Sequence, residues 1–314
     1  MPAAHPAMAT PAGPQSRRAQ SNGLSLHYLE QGAGPPLLLL HGFPDHAASW
    51  WPLAAHLAAS HRVIAPDLRG YGATDRPPAI ADYRIELLVE DVRGLLDALG
   101  LERVALCGHD WGGALAFAFA ESHPDRVERL VVLNAPPLAV LQAMVRDHPG
   151  QRAASQYVRL LQSPEADAIF TEANVDALLE RFLGEPRRRG LIDDAGWAAY
   201  RAAWTRPGVW QAMLAWYRAA PLDVPEPGAV APGVGGAVRV AVAAPVLVIW
   251  GERDGAFVPE MAPAIARACA DCEVAMLPAA GHVPHRDAPE HCAALITRFL
   301  SGHMAGPDTK ETAP

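Results

Sequence analysis

The clearest pattern along the chain is a series of short apolar runs, each stopped by glycine, proline or a polar residue. Leu37 to Leu40 stops at His41-Gly42, Arg62 to Ala65 at Pro66-Asp67, Val104 to Cys107 at Gly108, and Leu130 to Leu133 at Asn134. Val246 to Trp250 stops at Gly251, and Val274 to Leu277 at Pro278. Short apolar runs without polar alternation predict strands buried on both faces. Between or after them lie segments with helical spacing: Ile85 to Leu99, Gly113 to Ser122, Ala262 to Ala270 and Pro289 to Leu300. In the first, Leu88, Val92, Leu95, Leu96 and Leu99 fall on one face at the 3.6-residue period. Strands alternating with helices predict an α/β fold with a mostly parallel central sheet covered by helices.

One interval breaks the alternation. From Leu138 to about Ala220 there is no β-branched run, only helical stretches rich in Ala, Leu, Arg and Trp. This predicts an inserted helical cap over the strand ends. The expected organisation is a flexible tail at 1–20, the first part of the core at 21–137 and the cap at 138–220. A Gly/Pro-rich return at 221–244, the second part of the core at 245–302 and a tail at 303–314 complete it. Prolines 2, 6, 11 and 14 interrupt the start, and Arg17 and Arg18 come last, the reverse of a signal peptide. Gly228 to Trp250 carries one charge, Arg239, but its glycines and prolines break any membrane helix, and its end reads as a buried strand.

Composition narrows the class. Half of the 314 residues are hydrophobic and 19% are charged, enough apolar surface for a large core. The formal charge of −8 argues against nucleic acid and anionic membrane surfaces as partners. Four cysteines in this length make no disulfide framework. The expectation is a soluble cytoplasmic protein with no membrane span, and nothing speaks against a homo-oligomer.

The segment Val104-Ala-Leu-Cys-Gly-His-Asp-Trp-Gly-Gly-Ala114 reads strand, tight turn, helix, with Asp110 between Gly108 and Gly112. Small neighbours allow a sharp turn that lifts one side chain above the sheet, beside backbone N–H groups at a helix start. A carboxylate there can displace a leaving group from saturated carbon and leave an ester for water to hydrolyse. The plainer reading of Asp110 is a helix N-cap. Later in the chain Asp254 ends one strand and His282 follows the next, an acid and a histidine in the order a triad on this turn needs. Glu252 sits earlier in the same turn, and His285 and His291 lack the strand-end placement. His41-Gly42-Phe43-Pro44 follows the first strong strand, where Gly42 lets the backbone approach the turn. The backbone N–H groups of Phe43 and Trp111 are then candidates for an oxyanion hole.

These motifs resemble the α/β-hydrolase fold family, and within it the soluble-type epoxide hydrolases. The resemblance rests on His41-Gly-Phe-Pro-Asp45, Asp67-Leu-Arg-Gly-Tyr-Gly-Ala-Thr-Asp75, Gly108-His-Asp-Trp-Gly-Gly113, Trp250-Gly-Glu-Arg-Asp254 and Gly281-His282, and spans about residues 22 to 301. It implies Asp110 as nucleophile, His282 with Asp254 as base, and His41, Phe43 and Trp111 around the oxyanion or substrate. It also implies two cap tyrosines that protonate the epoxide oxygen. Tyr157, seven residues before the proline of Gln162-Ser163-Pro164, and Tyr217, in Trp216-Tyr217-Arg218, match that pattern. The implied substrates are a small neutral epoxide and water, with no cofactor and no metal. The related haloalkane dehalogenases share Asp110-Trp111 but carry Asn where Phe43 stands, and fluoroacetate dehalogenases carry Arg where Trp111 stands and a His-Trp pair where Val158-Arg159 stands. Dehalogenation by the same aspartate is the alternative. The family often shows Asn-x-Pro-His-Pro where this chain reads Asn134-Ala-Pro-Pro137.

The remaining candidates have plain readings. Cys269 and Cys272 lack a second pair or a suitably spaced histidine for metal. Trp197, Trp204, Trp210 and Trp216 are expected to pack the cap, and Tyr83 and Tyr200 to be structural.

Overall fold

The computed structural model describes residues 13–226, 228 and 238–302. Its eight strands are β1 (Gln15–Ser21), β2 (Leu24–Gln31), β3 (Pro36–Leu40), β4 (Arg62–Pro66), β5 (Val104–His109), β6 (Val127–Leu133), β7 (Val246–Gly251) and β8 (Cys272–Leu277). They form one sheet in the order β1-β2-β4-β3-β5-β6-β7-β8. From β4 to β8 every neighbouring pair is parallel; β1 and β2 join antiparallel at the edge.

The buried strands divide their side chains between two cores. Leu38 and Leu40 of β3 and Val246, Val248 and Trp250 of β7 face one side, with the helices Ile85–Ala98, Trp111–Ser122 and Met261–Ala268. Leu37, Leu39, Leu247 and Ile249 face the other, with the helices Trp51–Leu57 and Pro289–Leu300. Apolar cover on both faces explains why these strands carry no polar alternation. On Ile85–Ala98 the expected stripe Leu88, Val92, Leu95 and Leu96 is buried, while Leu99 lies just past the helix end and is partly exposed.

The start of the chain corrects the expectation of a tail through residue 20. Residues 1–12 lie outside the described part, but Gln15–Ser21 is an edge strand paired with β2 from Gln15↔Glu30 to Ser21↔Leu24. Its residues are exposed apart from Ala19 and Ser21, so it has no apolar run to announce it. The signal is in the turn: Asn22 and Gly23 both have positive φ, +50° and +78°, the backbone a two-residue hairpin needs. The expected tail at 303–314 lies outside the described residues, as do 227 and 229–237 of the Gly/Pro-rich return. The return is irregular where it is described.

Between β6 and β7 the described residues form seven α-helices: Leu138–Asp147, Pro149–Ala154, Gln156–Gln162, Ala166–Ile169, Val175–Arg188, Asp194–Trp204 and Val209–Ala219. Three aromatic side chains of this insertion bond to loops at the strand ends. The Trp204 indole donates to the Pro44 carbonyl at 2.7 Å, Trp216 to the Arg69 carbonyl at 3.0 Å, and the Tyr200 hydroxyl to Asp45 at 2.5 Å. Trp204, Trp210 and Trp216 are buried, as is Tyr83, whose hydroxyl donates to the Pro77 carbonyl. No helix among the described residues is long and apolar enough to cross a membrane.

Arg69 links three layers. Its guanidinium meets both Asp91 oxygens, at 2.7 and 2.6 Å, and its carbonyl receives the Trp216 indole; Asn22 of the hairpin turn also donates to Asp91. Removing one partner of such a buried pair leaves an uncompensated charge, at a cost of about 3–5 kcal/mol. Arg69→Met is therefore expected to lower unfolding stability by about that amount. A urea midpoint within error of the unsubstituted protein would contradict this role.

Candidate active site

The turn after β5 places Asp110 at φ +50°, ψ −122°, a backbone conformation rarely occupied by a non-glycine residue. The following helix can start at once because Gly112 lies against the Leu40 and His41 carbonyls, where a Cβ has no room. Gly42 lies as closely against the Asp110 side chain, which brings the next peptide N–H into reach. Phe43 N–H accordingly donates to Asp110 Oδ1 at 2.8 Å. Asp110 precedes the helix, yet its carboxylate makes no capping bond to it. The N-cap reading left open by the sequence is thereby excluded.

On the other side of Asp110 stands His282, its Nε2 3.6 Å from Oδ2. His282 Nδ1 lies 2.9 Å from Asp254 Oδ2. Asp254 is held on all sides: Oδ1 accepts from the N–H groups of Ala256 and Phe257, and Oδ2 also accepts from Asn134 Nδ2 at 2.7 Å. An acceptor-only carboxylate facing Nδ1 requires that nitrogen to carry the proton, which leaves Nε2 directed at Asp110. Glu252 is exposed and takes no part.

Asn134 was not among the residues the sequence singled out as functional. It ends β6 at φ +40°, exchanges hydrogen bonds with both backbone groups of Gly251 at 3.1 and 2.7 Å, and donates to Asp254. The only cue in the sequence is a polar residue where an apolar strand stops. His41 shows the converse. It is fully buried, with Nδ1 on the Gly42 carbonyl and Nε2 accepting from Leu68 N–H, and it lines neither cavity at Asp110. It therefore braces the loop that presents Phe43 N–H and does not reach a substrate, contrary to its expected place in the binding set.

Two cavities meet at Asp110, Tyr157 and Tyr217, all three of which line both. The larger, about 400 Å³, also holds His282 and is walled by Phe43, Leu160, Phe170 and Phe182. The smaller has about 30 Å³ of free space. Tyr157 comes from the helix Gln156–Gln162 and Tyr217 from Val209–Ala219, their ring centroids 6.4 Å apart. The Trp111 ring packs edge-on against Tyr217, with centroids 5.1 Å apart.

The charges at this site are coupled. Burial opposes ionisation of Asp110, but His282 and the Phe43 N–H outweigh it and hold the carboxyl below its ordinary pKa. Burial likewise opposes the charged form of His282, yet Asp254 and Asp110 on either side raise it well above the usual histidine value. Asp254 is held low by His282 and Asn134 against its own burial. Tyr157 and Tyr217 are pushed well up, first by burial and then by the Asp110 charge, so both stay protonated.

Behind the turn, the His109 Nε2 lies 2.9 Å from the His282 carbonyl oxygen, and the ring packs on His285, itself stacked on Trp50. Burial and the His282 charge push His109 down to about 4. Asp45, His109 and His285 are the one group of metal-ligand side chains drawn together among the described residues. The His109–Asp45 separation of 3.9 Å exceeds the roughly 3.3 Å between ligands of a tetrahedral ion, so the group as it stands has no coordination geometry. Cys269 and Cys272 are free thiols at a helix end and the start of β8.

Comparison with known proteins agrees with this architecture. The model of the alpha/beta hydrolase fold family matches residues 35–289. The AB hydrolase superfamily protein YfhM of Bacillus subtilis is 31% identical, over 92% of this chain and 98% of that protein. Epoxide hydrolase 2 of Caenorhabditis elegans is 32% identical, over 90% of this chain and 79% of that protein. Among solved structures, Bacillus megaterium epoxide hydrolase in complex with an inhibitor superposes with a TM-score of 0.82 at 28% identity, covering 91% of this chain and all of that one. With a sheet, a turn and an inserted cap of this kind, the chain belongs to the α/β-hydrolase fold family and, within it, to the epoxide hydrolases.

Proposed function

We propose that this protein hydrolyses epoxides to vicinal diols through a covalent ester on Asp110. The observation that carries the reading is the meeting of an ionised Asp110, a histidine directed at it and two protonated tyrosines on the larger cavity. Asp110 Oδ1 already sits on the Phe43 N–H, so Oδ2 is the oxygen that attacks a ring carbon. As the C–O bond breaks, the ring oxygen takes a proton from Tyr157 or Tyr217, which an alkoxide needs and a halide does not. The product of this step is a hydroxyalkyl ester. His282 first gives its Nε2 proton to the tyrosinate, then takes a proton from water, whose oxygen adds to the ester carbonyl. Charge develops on the oxygen held by the Phe43 N–H, with the Trp111 N–H as second donor. The adduct collapses, its new hydroxyl gives its proton to the departing alkoxide, and the diol leaves Asp110 ionised beside a protonated His282.

Alkylation itself prepares each later step. Forming the ester removes the Asp110 charge, which in the resting site raises both tyrosines and His282. The tyrosines become stronger acids as the ring opens, and His282 loses one of the two carboxylates that keep it protonated. It can then serve as a base.

Asp110→Ala is expected to abolish diol formation, and His282→Gln to accumulate an adduct heavier than the protein by the mass of the epoxide. Normal turnover by His282→Gln would overturn the mechanism. Loss of both hydroxyls in Tyr157→Phe/Tyr217→Phe is expected to reduce turnover by about 10²–10⁴-fold. Parallel assays with bromoalkanes and haloacetates are expected to release no halide.

The charge coupling has its own test. In Asp110→Asn, His282 keeps Asp254 but loses the second carboxylate, so its imidazole is expected to titrate at lower pH. An NMR titration in which the His282 pKa stays unchanged or rises would refute the coupling.

A further inference from the structure

The smaller cavity is apolar on most sides, with Ala114, Leu138, Leu141, Leu222 and Phe257 in its wall, but Ser155 also lines it. Ser155 is 2% exposed and sits between the helices Pro149–Ala154 and Gln156–Gln162, two residues before Tyr157. Its hydroxyl oxygen accepts a hydrogen bond from Gln151 Nε2 at 2.9 Å. The orientation of that amide is not free. Gln151 Nε2 also donates to the Ala256 carbonyl, and Gln151 Oε1 accepts from Val258 N–H at 3.0 Å. A backbone acceptor on one end and a backbone donor on the other fix which atom is nitrogen. Gln151 can therefore only give a proton to Ser155, never take one.

The hydroxyl proton of Ser155 has no acceptor among the described residues. The carbonyl one helical turn back, that of Gln151, receives the Ser155 backbone N–H. Ser155 thus brings an O–H donor to the wall shared with Asp110 and the two tyrosines, with one of its lone pairs taken by Gln151. Free space of about 30 Å³ admits one or two water-sized groups and excludes a ring.

We propose that Ser155 is a specificity-determining residue, and that the enzyme favours epoxides whose shorter arm carries an acceptor oxygen close to the ring. The bulky arm lies in the larger cavity, the epoxide oxygen on the tyrosines, and the short arm in the smaller cavity with its oxygen on the Ser155 proton. This rests on the epoxide reading of the same site. A buried donor in so small a pocket discriminates against a methylene in place of oxygen, because the methylene leaves the O–H without a partner.

The test uses two isosteric epoxides with phenyl on one ring carbon and hydroxymethyl or ethyl on the other, and the two diols they yield. The unsubstituted enzyme is expected to favour the hydroxymethyl compounds over the ethyl ones by about 3- to 10-fold, both in kcat/KM and in the Kd of the diols. In Ser155→Ala that ratio is expected to fall to about one. The acceptor lost to Gln151 affects both members of each pair and cancels in the ratio. A ratio unchanged by Ser155→Ala, or near one beforehand, overturns the proposal. The diol Kd values decide the matter even if neither epoxide is turned over, an outcome that would count against the epoxide reading and not against Ser155.

Discussion

The buried charge of Asp110 sets the terms for everything around it. A carboxylate in an apolar cleft under a cap of helices is costly unless its oxygens are met by donors. Here the donors come from two distant parts of the chain: the Phe43 N–H from the loop after β3, and His282 from the loop after β8. Each depends on supports of its own. Phe43 can approach because Gly42 has no side chain and His41 braces the loop. His282 is aligned by Asp254, which hangs in turn on Asn134 and two backbone N–H groups. The ends of a parallel sheet bring such loops together, since the strands from β3 onward all finish on the same edge.

The cap contributes the rest of the site, and its seating depends on a few directional bonds. Trp204, Trp216 and Tyr200 each bury an aromatic ring while giving their polar tip to a loop of the core. Such residues combine large apolar contact with one specific donor, so they fix position as well as supply burial. The same economy recurs at Gln151, whose amide N–H gives Ser155 its hydrogen bond and so decides which side of that hydroxyl accepts.

Some of this was legible in the residues alone, because the signals are local. A doubly buried strand must be apolar at every position, so β3, β5 and β7 show as runs; a sharp turn after a strand must have small neighbours, so Asp110 shows between glycines. The edge strand β1 had no such mark, since only Ala19 and Ser21 escape solvent, and its one clue was the Asn22-Gly23 turn. Asn134 and Gln151 were silent for another reason. Their roles consist of hydrogen bonds to residues far away in sequence, up to 120 positions for Asn134 and Asp254.

The six parallel strands, four of the helices that cover them, the inserted helical interval and the identity of the charged groups at the strand ends could all be read from the residues, since these follow from burial periodicity and from turns only a few residues long. The tertiary structure decided which way each proton points, that His41 supports a loop and does not line the cavity, and how the two unequal cavities share one nucleophile. Those features are set by angles and distances between elements, and the physical quantities that govern them, desolvation and hydrogen-bond direction, have no counterpart in a linear pattern of residues.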